Sequence, residues 1–244
     1  MLGGAACGDG VRRARRLRRQ PQGEPAVAVS LAGPSPDDVR PLLDMYGGHY
    51  VGEKVVYLTF DAGYENGYTT QILDELQEAD VRAAFFVTGA YVRDNPDLVR
   101  RMADEGYVVA NHTDTYPCLP SLAYDRAAFR RELTTVEQAY RRVTGEELAR
   151  LLRPPMGEYS ARSLCRTQRL GYATVFWSFA HRDWLVDDQP SVAVTLDRLL
   201  DGRHRGAIYL LHAVSRSNTG ALPRFIDELR ARSYRFGALT ELGE

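Results

Sequence analysis

Residues 54–89 read KVVYLTFDAGYENGYTTQILDELQEADVRAAFFVTG, and this stretch decides the fold. Val55–Phe60 is an apolar run of strand length that stops at Asp61-Ala62-Gly63. Tyr68–Ala79 then carries Ile72, Leu73, Leu76 and Ala79 at helical spacing, on one face. Arg82–Val87 is a second apolar strand. Strand, amphipathic helix and strand in this order form the repeating unit of a parallel sheet.

The same alternation continues outward to the C-terminus. A helix is expected from Pro96 to Glu105, with Gly106 at its exit. The strand Tyr107–Asn111 leads to His112. Asp125–Val143 is a long helix with Phe129, Leu133, Val136, Tyr140 and Val143 at steps of three and four. Leu148–Leu152 is a strand ending at Arg153, and Ser160 is a suitable N-cap for a helix over Ser160–Leu170. Further strands are expected at Tyr172–Trp177, Ala207–Leu211 and Tyr234–Phe236, and further helices at Ser191–Leu200 and Asn218–Ala231. Seven strands alternating with helices predict an α/β fold of the barrel type.

Asp61, His112, Arg153 and His212 each fall just past the C-terminal end of an expected strand, and Asp183 lies in the loop after Trp177. In barrels of this kind catalytic groups collect on that rim. A single histidine or aspartate there is ordinary packing; five polar residues together predict a site.

Five segments carry a resemblance. In chain order they are Thr59-Phe60-Asp61-Ala62-Gly63-Tyr64-Glu65-Asn66-Gly67, Asn111-His112-Thr113, Arg153-Pro154-Pro155-Met156-Gly157-Glu158-Tyr159-Ser160, Asp183-Trp184 and Leu211-His212-Ala213-Val214-Ser215. They resemble the five motifs of the polysaccharide deacetylases, the carbohydrate esterase 4 family, over about residues 40–244. Within that family the chain is most similar to the peptidoglycan N-acetylmuramic acid deacetylases of spore-forming bacteria, through Gly63–Gly67, Asn95–Val99, Trp177–Ala180 and Tyr234–Gly237. The resemblance implies a distorted seven-stranded (β/α) barrel and hydrolysis of N-acetyl groups on cell-wall glycan during sporulation. It further implies a location in the cell envelope or outside the cell, and a monomer.

It also implies roles. Asp61 is the general base that takes a proton from water, and His212 is the general acid that protonates the leaving nitrogen. Arg153 holds Asp61 through its guanidinium fork, and Asp183 supports Arg153 or His212. Tyr64, Trp184, Leu211 and Pro154 wall the sugar pocket. The family's divalent metal, zinc or similar, sits on a second aspartate after the base and on a His-Ser/Thr-x-x-His pair. In this chain His112 matches the first histidine, but Ala62 stands in place of the aspartate and Tyr116 in place of the second histidine. Catalytic zinc takes three protein ligands as a rule, so the metal is expected to bind weakly or not at all. Asp114, Tyr116, Cys118 and His181 are the nearby candidates to replace the lost ligands, whereas His49 and His204 lack motif context and read as surface histidines. The retained acid and base fit an active deacetylase. The two substitutions fit an impaired relative that binds glycan or a cell-wall partner. A third class, a different hydrolase on the same barrel, has no motif of its own; a Gly-x-Ser-x-Gly elbow, for example, is missing.

The 244 residues are 44% hydrophobic and 26% charged, which suits a globular protein and not a disordered one. The net charge is −1, yet residues 1–20 hold six arginines against one aspartate, so residues 21–244 carry −6. That acidic body argues against nucleic acid as partner. No run of 18 apolar residues encodes a membrane helix. Residues 1–35 read as a disordered basic tail ahead of a catalytic domain over 36–244. The only apolar stretch in that tail, Ala26–Gly33 between Pro25 and Pro34, is too short for a clear signal peptide. A short helix is expected at Pro36–Tyr46. Cys7, Cys118 and Cys165, odd in number and widely spaced, show no disulfide framework; three free thiols is the favoured reading, with one pair left open.

Overall fold

A computed structural model of the chain describes residues 54–241. The basic tail and the helix expected at Pro36–Tyr46 lie outside the described residues. The sheet is parallel throughout, with strands β1 (Val55–Ala62), β2 (Ala83–Val87), β3 (Val108–Asn111), β4 (Ala149–Leu152), β5 (Ala173–Thr174), β6 (Phe179–Ala180), β7 (Ala207–His212) and β8 (Arg235–Phe236). Its order is β5-β4-β3-β2-β1-β7-β6, and β8 pairs the start of β1.

The expected strand Tyr172–Trp177 is in fact divided. Its first part, β5, pairs β4 at one edge, and the chain re-emerges as β6 on β7 at the other edge. Between them Val175 N–H donates to the Leu152 carbonyl at 2.8 Å and Ser178 N–H to the Ile208 carbonyl at 3.0 Å. Five residue steps reach at most about 18 Å, whereas seven flat strands at 4.8 Å spacing span about 29 Å. The sheet therefore has to curl until its two edges approach. This is the distorted seven-stranded barrel, with β8 as a short addition.

Helices cover the outside: α1 (Thr69–Glu78), α2 (Gly89–Asp94), α3 (Pro96–Asp104), α4 (Leu119–Leu122), α5 (Arg126–Thr144), α6 (Ala161–Arg169), α7 (Val192–Asp201) and α8 (Arg216–Ala231). Their ends follow local chemistry. Asp125 accepts the Ala127 and Ala128 N–H groups, each at 2.9 Å, at the start of α5. Gly145, at φ 80, ends that helix by donating to the Arg141 carbonyl. Ser160 and Ser163 cap α6 reciprocally.

Strand periodicity sorts the core into two layers. Val56, Leu58, Phe60 and Ala62 face the helices and pack with Ile72, Leu73 and Leu76. Val55 and Tyr57 face the barrel interior with Ala84, Phe86, Ala110, Leu151 and Ile208. Counting on in twos along the interior face leads from Tyr57 to Asp61, from Ala110 to His112, from Leu151 to Arg153 and from Ile208 to His212. One parity rule thus brings four polar residues from four strands to the top of one lumen. Leu211 has the opposite parity. It is 1% exposed in the helix-side core, so its side chain does not wall a pocket, which corrects that expectation. The expectation of three free thiols is corrected as well: Cys118 is free, but Cys165 is disulfide-bonded.

Candidate active site

Asp61 and His212 are direct neighbours in register across β1 and β7, so the expected base and acid stand side by side. Arg153 Nη1 donates to Asp61 Oδ1 at 2.7 Å. The guanidinium is fully buried and stacks over Phe86, 4.1 Å from the ring centroid. A buried cation of this kind requires a counter-charge, and Asp61 supplies it. Burial pushes the Asp61 carboxyl up, but Arg153, with His112 and His212, outweighs it and holds the group below the usual carboxylate range.

Both ring nitrogens of His112 have a close polar neighbour. Nδ1 lies 2.8 Å from the Arg153 carbonyl; a carbonyl only accepts, so the proton sits on Nδ1. Nε2 then presents a lone pair 3.4 Å from Asp61 Oδ2. Burial pushes the His112 imidazole down, which keeps it neutral. The loop is pinned from below by Asn111, whose amide donates to the Leu133 carbonyl and whose Oδ1 accepts the Thr113 N–H at 2.8 Å. Thr113 (φ 69), Tyr116 (φ 60) and Met156 (φ 58) all occupy the left-handed region without being glycine. Such strain gathers at functional loops.

Asp183 holds His212. Its Oδ1 accepts from His212 Nδ1 at 2.7 Å, and its Oδ2 accepts the His212 backbone N–H at 2.8 Å. Of the two supports expected for Asp183, the structure has His212. Burial lowers the His212 imidazole, but Asp183 and then Asp61 outweigh this and raise it above its ordinary value.

Among the expected pocket residues, Tyr64 is 53% and Trp184 45% exposed. Trp184 leans on His212 with ring centroids 5.4 Å apart. Pro154 is buried, and its carbonyl accepts the Gly157 N–H, so it shapes the loop. Tyr116, which the sequence puts at the second-histidine position, stands on the rim beside Met156, a residue that sequence reasoning missed. Tyr116 packs edge-on against His112 at 5.1 Å, and its hydroxyl accepts the exposed Met156 N–H at 3.2 Å.

It also missed Glu65 and Asn66, quoted only as part of a motif. Glu65 accepts from Gly67 N–H, Thr69 N–H, the Thr69 hydroxyl and the Tyr91 hydroxyl. Asn66 donates to the Val214 carbonyl at 3.1 Å. Together they tie the Tyr64 loop to α1, α2 and the loop after His212. Glu65→Ala is expected to lower Tm by roughly 2–8 °C in a thermal melt, for a net loss of about 1–2 kcal/mol. Glu65→Gln, which keeps one acceptor oxygen, should lose less.

A catalytic divalent metal does not fit the residues present. Ala62 brings no donor. The Tyr116 phenol is pushed up by burial, stays neutral, and is engaged with Met156. Asp114 Oδ1 is taken by Arg93 at 2.6 Å, Cys118 faces Ser121, and His181 binds Asn218. Among the described residues no group of three His, Cys, Asp or Glu is placed to share an ion. His112 alone is short of the three ligands that catalytic zinc requires.

Comparison with known proteins identifies the family and the fold. The polysaccharide deacetylase family model matches residues 48–175. The peptidoglycan-N-acetylmuramic acid deacetylase PdaA of Bacillus subtilis is 43% identical over 204 residues, covering 82% of this chain and 77% of that protein. The solved structure of B. subtilis PdaA, a family 4 carbohydrate esterase, superposes with a TM-score of 0.80 at 41% identity, over 84% of this chain and 86% of that one. A CE4 family pseudoenzyme from Bacillus anthracis superposes with a TM-score of 0.71 at 29% identity, over 81% of this chain and 67% of that one. A barrel whose rim carries Asp61, His112, Arg153, Asp183 and His212, matched by sequence and by shape, belongs to the polysaccharide deacetylase family.

Proposed function

We propose that the chain is an N-deacetylase of cell-wall polysaccharide, acting on peptidoglycan at its N-acetylmuramic acid residues. The observation that carries this reading is the side-by-side pair of Asp61, held by Arg153, and His212, held by Asp183. PdaA, similar over most of its length, acts on that sugar by name.

Asp61 Oδ2 and His112 Nε2 are two acceptors 3.4 Å apart, close enough for one water to donate to both. Attack of that water on the amide carbonyl carbon passes its proton to Asp61. Protonated His212 then gives its Nε2 proton to the sugar nitrogen as the C–N bond breaks, leaving acetate and a free amine. Exposed Tyr64 and Trp184 offer apolar faces to the sugar rings. Catalysis belongs to residues 36–244, with 1–35 as an accessory basic tail, in a monomer at the cell envelope during sporulation. Among the described residues no helix is long and apolar enough to cross a membrane.

The second reading, a relative that binds glycan without cleaving it, is favoured by one observation: Ala62 and Tyr116 remove two metal donors. Its likeness to a pseudoenzyme points the same way. Acetate release from N-acetylated peptidoglycan, with and without a chelator, separates the two. Release that survives chelation supports the metal-free mechanism. Glycan binding with no release under either condition supports the second reading.

The pH profile is a further check. The Asp61 carboxyl lies below its usual value of about 4 and the His212 imidazole above its usual value of about 6.5. Both groups are therefore in their working forms across that whole interval. Acetate release should form a plateau spanning about pH 4–6.5, falling on the acid side with Asp61 and on the alkaline side with His212. A maximum confined to alkaline pH would contradict these roles.

A further inference from the structure

His181 and Asn218 extend the support of the acid by two residues. The Asn218 side-chain NH2 donates to Asp183 Oδ2, the carboxylate that holds His212 through Nδ1 and the backbone N–H. A carboxylate only accepts, so the amide orientation is forced: nitrogen toward Asp183, oxygen away. That oxygen lies 2.8 Å from His181 Nε2, which must therefore carry the proton. His181 Nδ1 is buried with no hydrogen-bond partner. A second proton there would be buried and unsatisfied, and burial pushes the imidazole down. His181 is thus a fixed neutral donor, neither a rim histidine nor a metal ligand.

We infer that His181 and Asn218 are positioning residues for the general acid, forming a chain of donors that converges on Asp183, His181→Asn218→Asp183←His212, and fixes which ring nitrogen of His212 meets the substrate. This rests on the deacetylase reading for its catalytic meaning, but not for its geometry. The chain joins the loop after β6 to the first turn of α8, where Ser215 Oγ accepts the Asn218 N–H at 3.1 Å. Asn218 is 2% exposed, so water cannot replace it. With Asp183 locked by two further donors, His212 keeps its proton on Nδ1 when neutral, and Nε2 is left to take up and deliver the catalytic proton. Other charged or titratable groups that act on His212 are Asp61, Arg153, His112 and His181. Those on His181 are Asp183, Arg198 and His212.

The test pairs NMR with kinetics. In the whole protein, the His212 Nδ1 proton bonded to Asp183 should give a resolved, far-downfield signal. Asn218→Leu should weaken or shift that signal and lower kcat roughly 10–100-fold, with KM within about twofold, because the loss is confined to the transition state. His181→Gln keeps an N–H donor and should behave like wild type, whereas His181→Leu should behave like a milder Asn218→Leu. An unchanged His212 signal in Asn218→Leu overturns the inference. So does equal behaviour of His181→Gln and His181→Leu in both readouts. The NMR arm needs no turnover. If wild type releases no acetate, the deacetylase reading fails while the His212 signal still decides the positioning chain.

Discussion

Asp61→Asn is expected to reduce acetate release by at least about a thousandfold, within the range that a general base contributes, and to cost about 3–5 kcal/mol of stability. The two effects share one cause. Asp61 is the counter-charge of Arg153, which is fully buried and stacked on Phe86. Asparagine keeps the shape and one acceptor oxygen but leaves the guanidinium without a negative partner. It also cannot accept the water proton. The double variant Asp61→Asn with Arg153→Met separates the effects: removing the orphaned charge should recover much of the stability and none of the activity. Denaturant melts and acetate assays on the three proteins read this out. Equal stability of wild type and Asp61→Asn would show that the ion pair contributes little.

The pH dependence of this stability has a defined sign. The folded Asp61 carboxyl is held below its ordinary value. The stabilisation is therefore present above about pH 4, the unfolded value, and is lost as pH falls through the folded one. His212 runs the other way. Its imidazole is raised in the fold, so its contribution is full below about pH 6.5 and disappears as pH climbs through the raised value. Between the two lies the interval in which Asp61 is ionised and His212 is protonated.

Most of the barrel was legible because strand length and helix periodicity are local. The site was legible because residues just beyond strand ends collect on one rim. Two-residue strands were not. β5 and β6 are defined by long-range pairing with β4 and β7, and nothing in Tyr172–Ala180 alone divides that run. α2 was missed because it ends one residue before α3 begins, at Asn95. Leu211 is a different failure: the parity that turns His212 into the lumen turns Leu211 out, so the pocket assignment contradicted information already in the sequence. Asn218 was read as the start of a helix. Ser215 caps α8 earlier, which moves Asn218 into the first turn and its side chain under Asp183. Caps of this kind are written in residue type, but which acceptor the next side chain meets depends on the loop packed above it.

Zinc should stabilise a repaired chain and leave wild type nearly unchanged. The variant is Ala62→Asp with Tyr116→His, which returns a carboxylate and an imidazole to the two positions where the family pattern has its metal ligands. Tyr116 already packs against the His112 ring at 5.1 Å, so an imidazole there starts near its partner. Ala62 is fully buried, and an aspartate at that position is costly unless a cation compensates it. The double variant is therefore expected to melt below wild type in chelator. Zinc at a hundred times its Kd returns about 2.7 kcal/mol, a rise of about 5–10 °C for a domain of this size. Wild type, with one imidazole and no second ligand, should move by less than about 1 °C, a small fraction of that linkage. Zinc titration by calorimetry should rank the proteins in the same order, independently of turnover. A wild-type chain that zinc stabilises as strongly as the variant would mean that Asp114 leaves Arg93 or His181 leaves Asn218 to rebuild the ligand set. The hydrogen bonds that now engage those two side chains at 2.6 and 2.8 Å argue against that exchange, since each would abandon a formed partner for a site that still lacks the Ala62 oxygen.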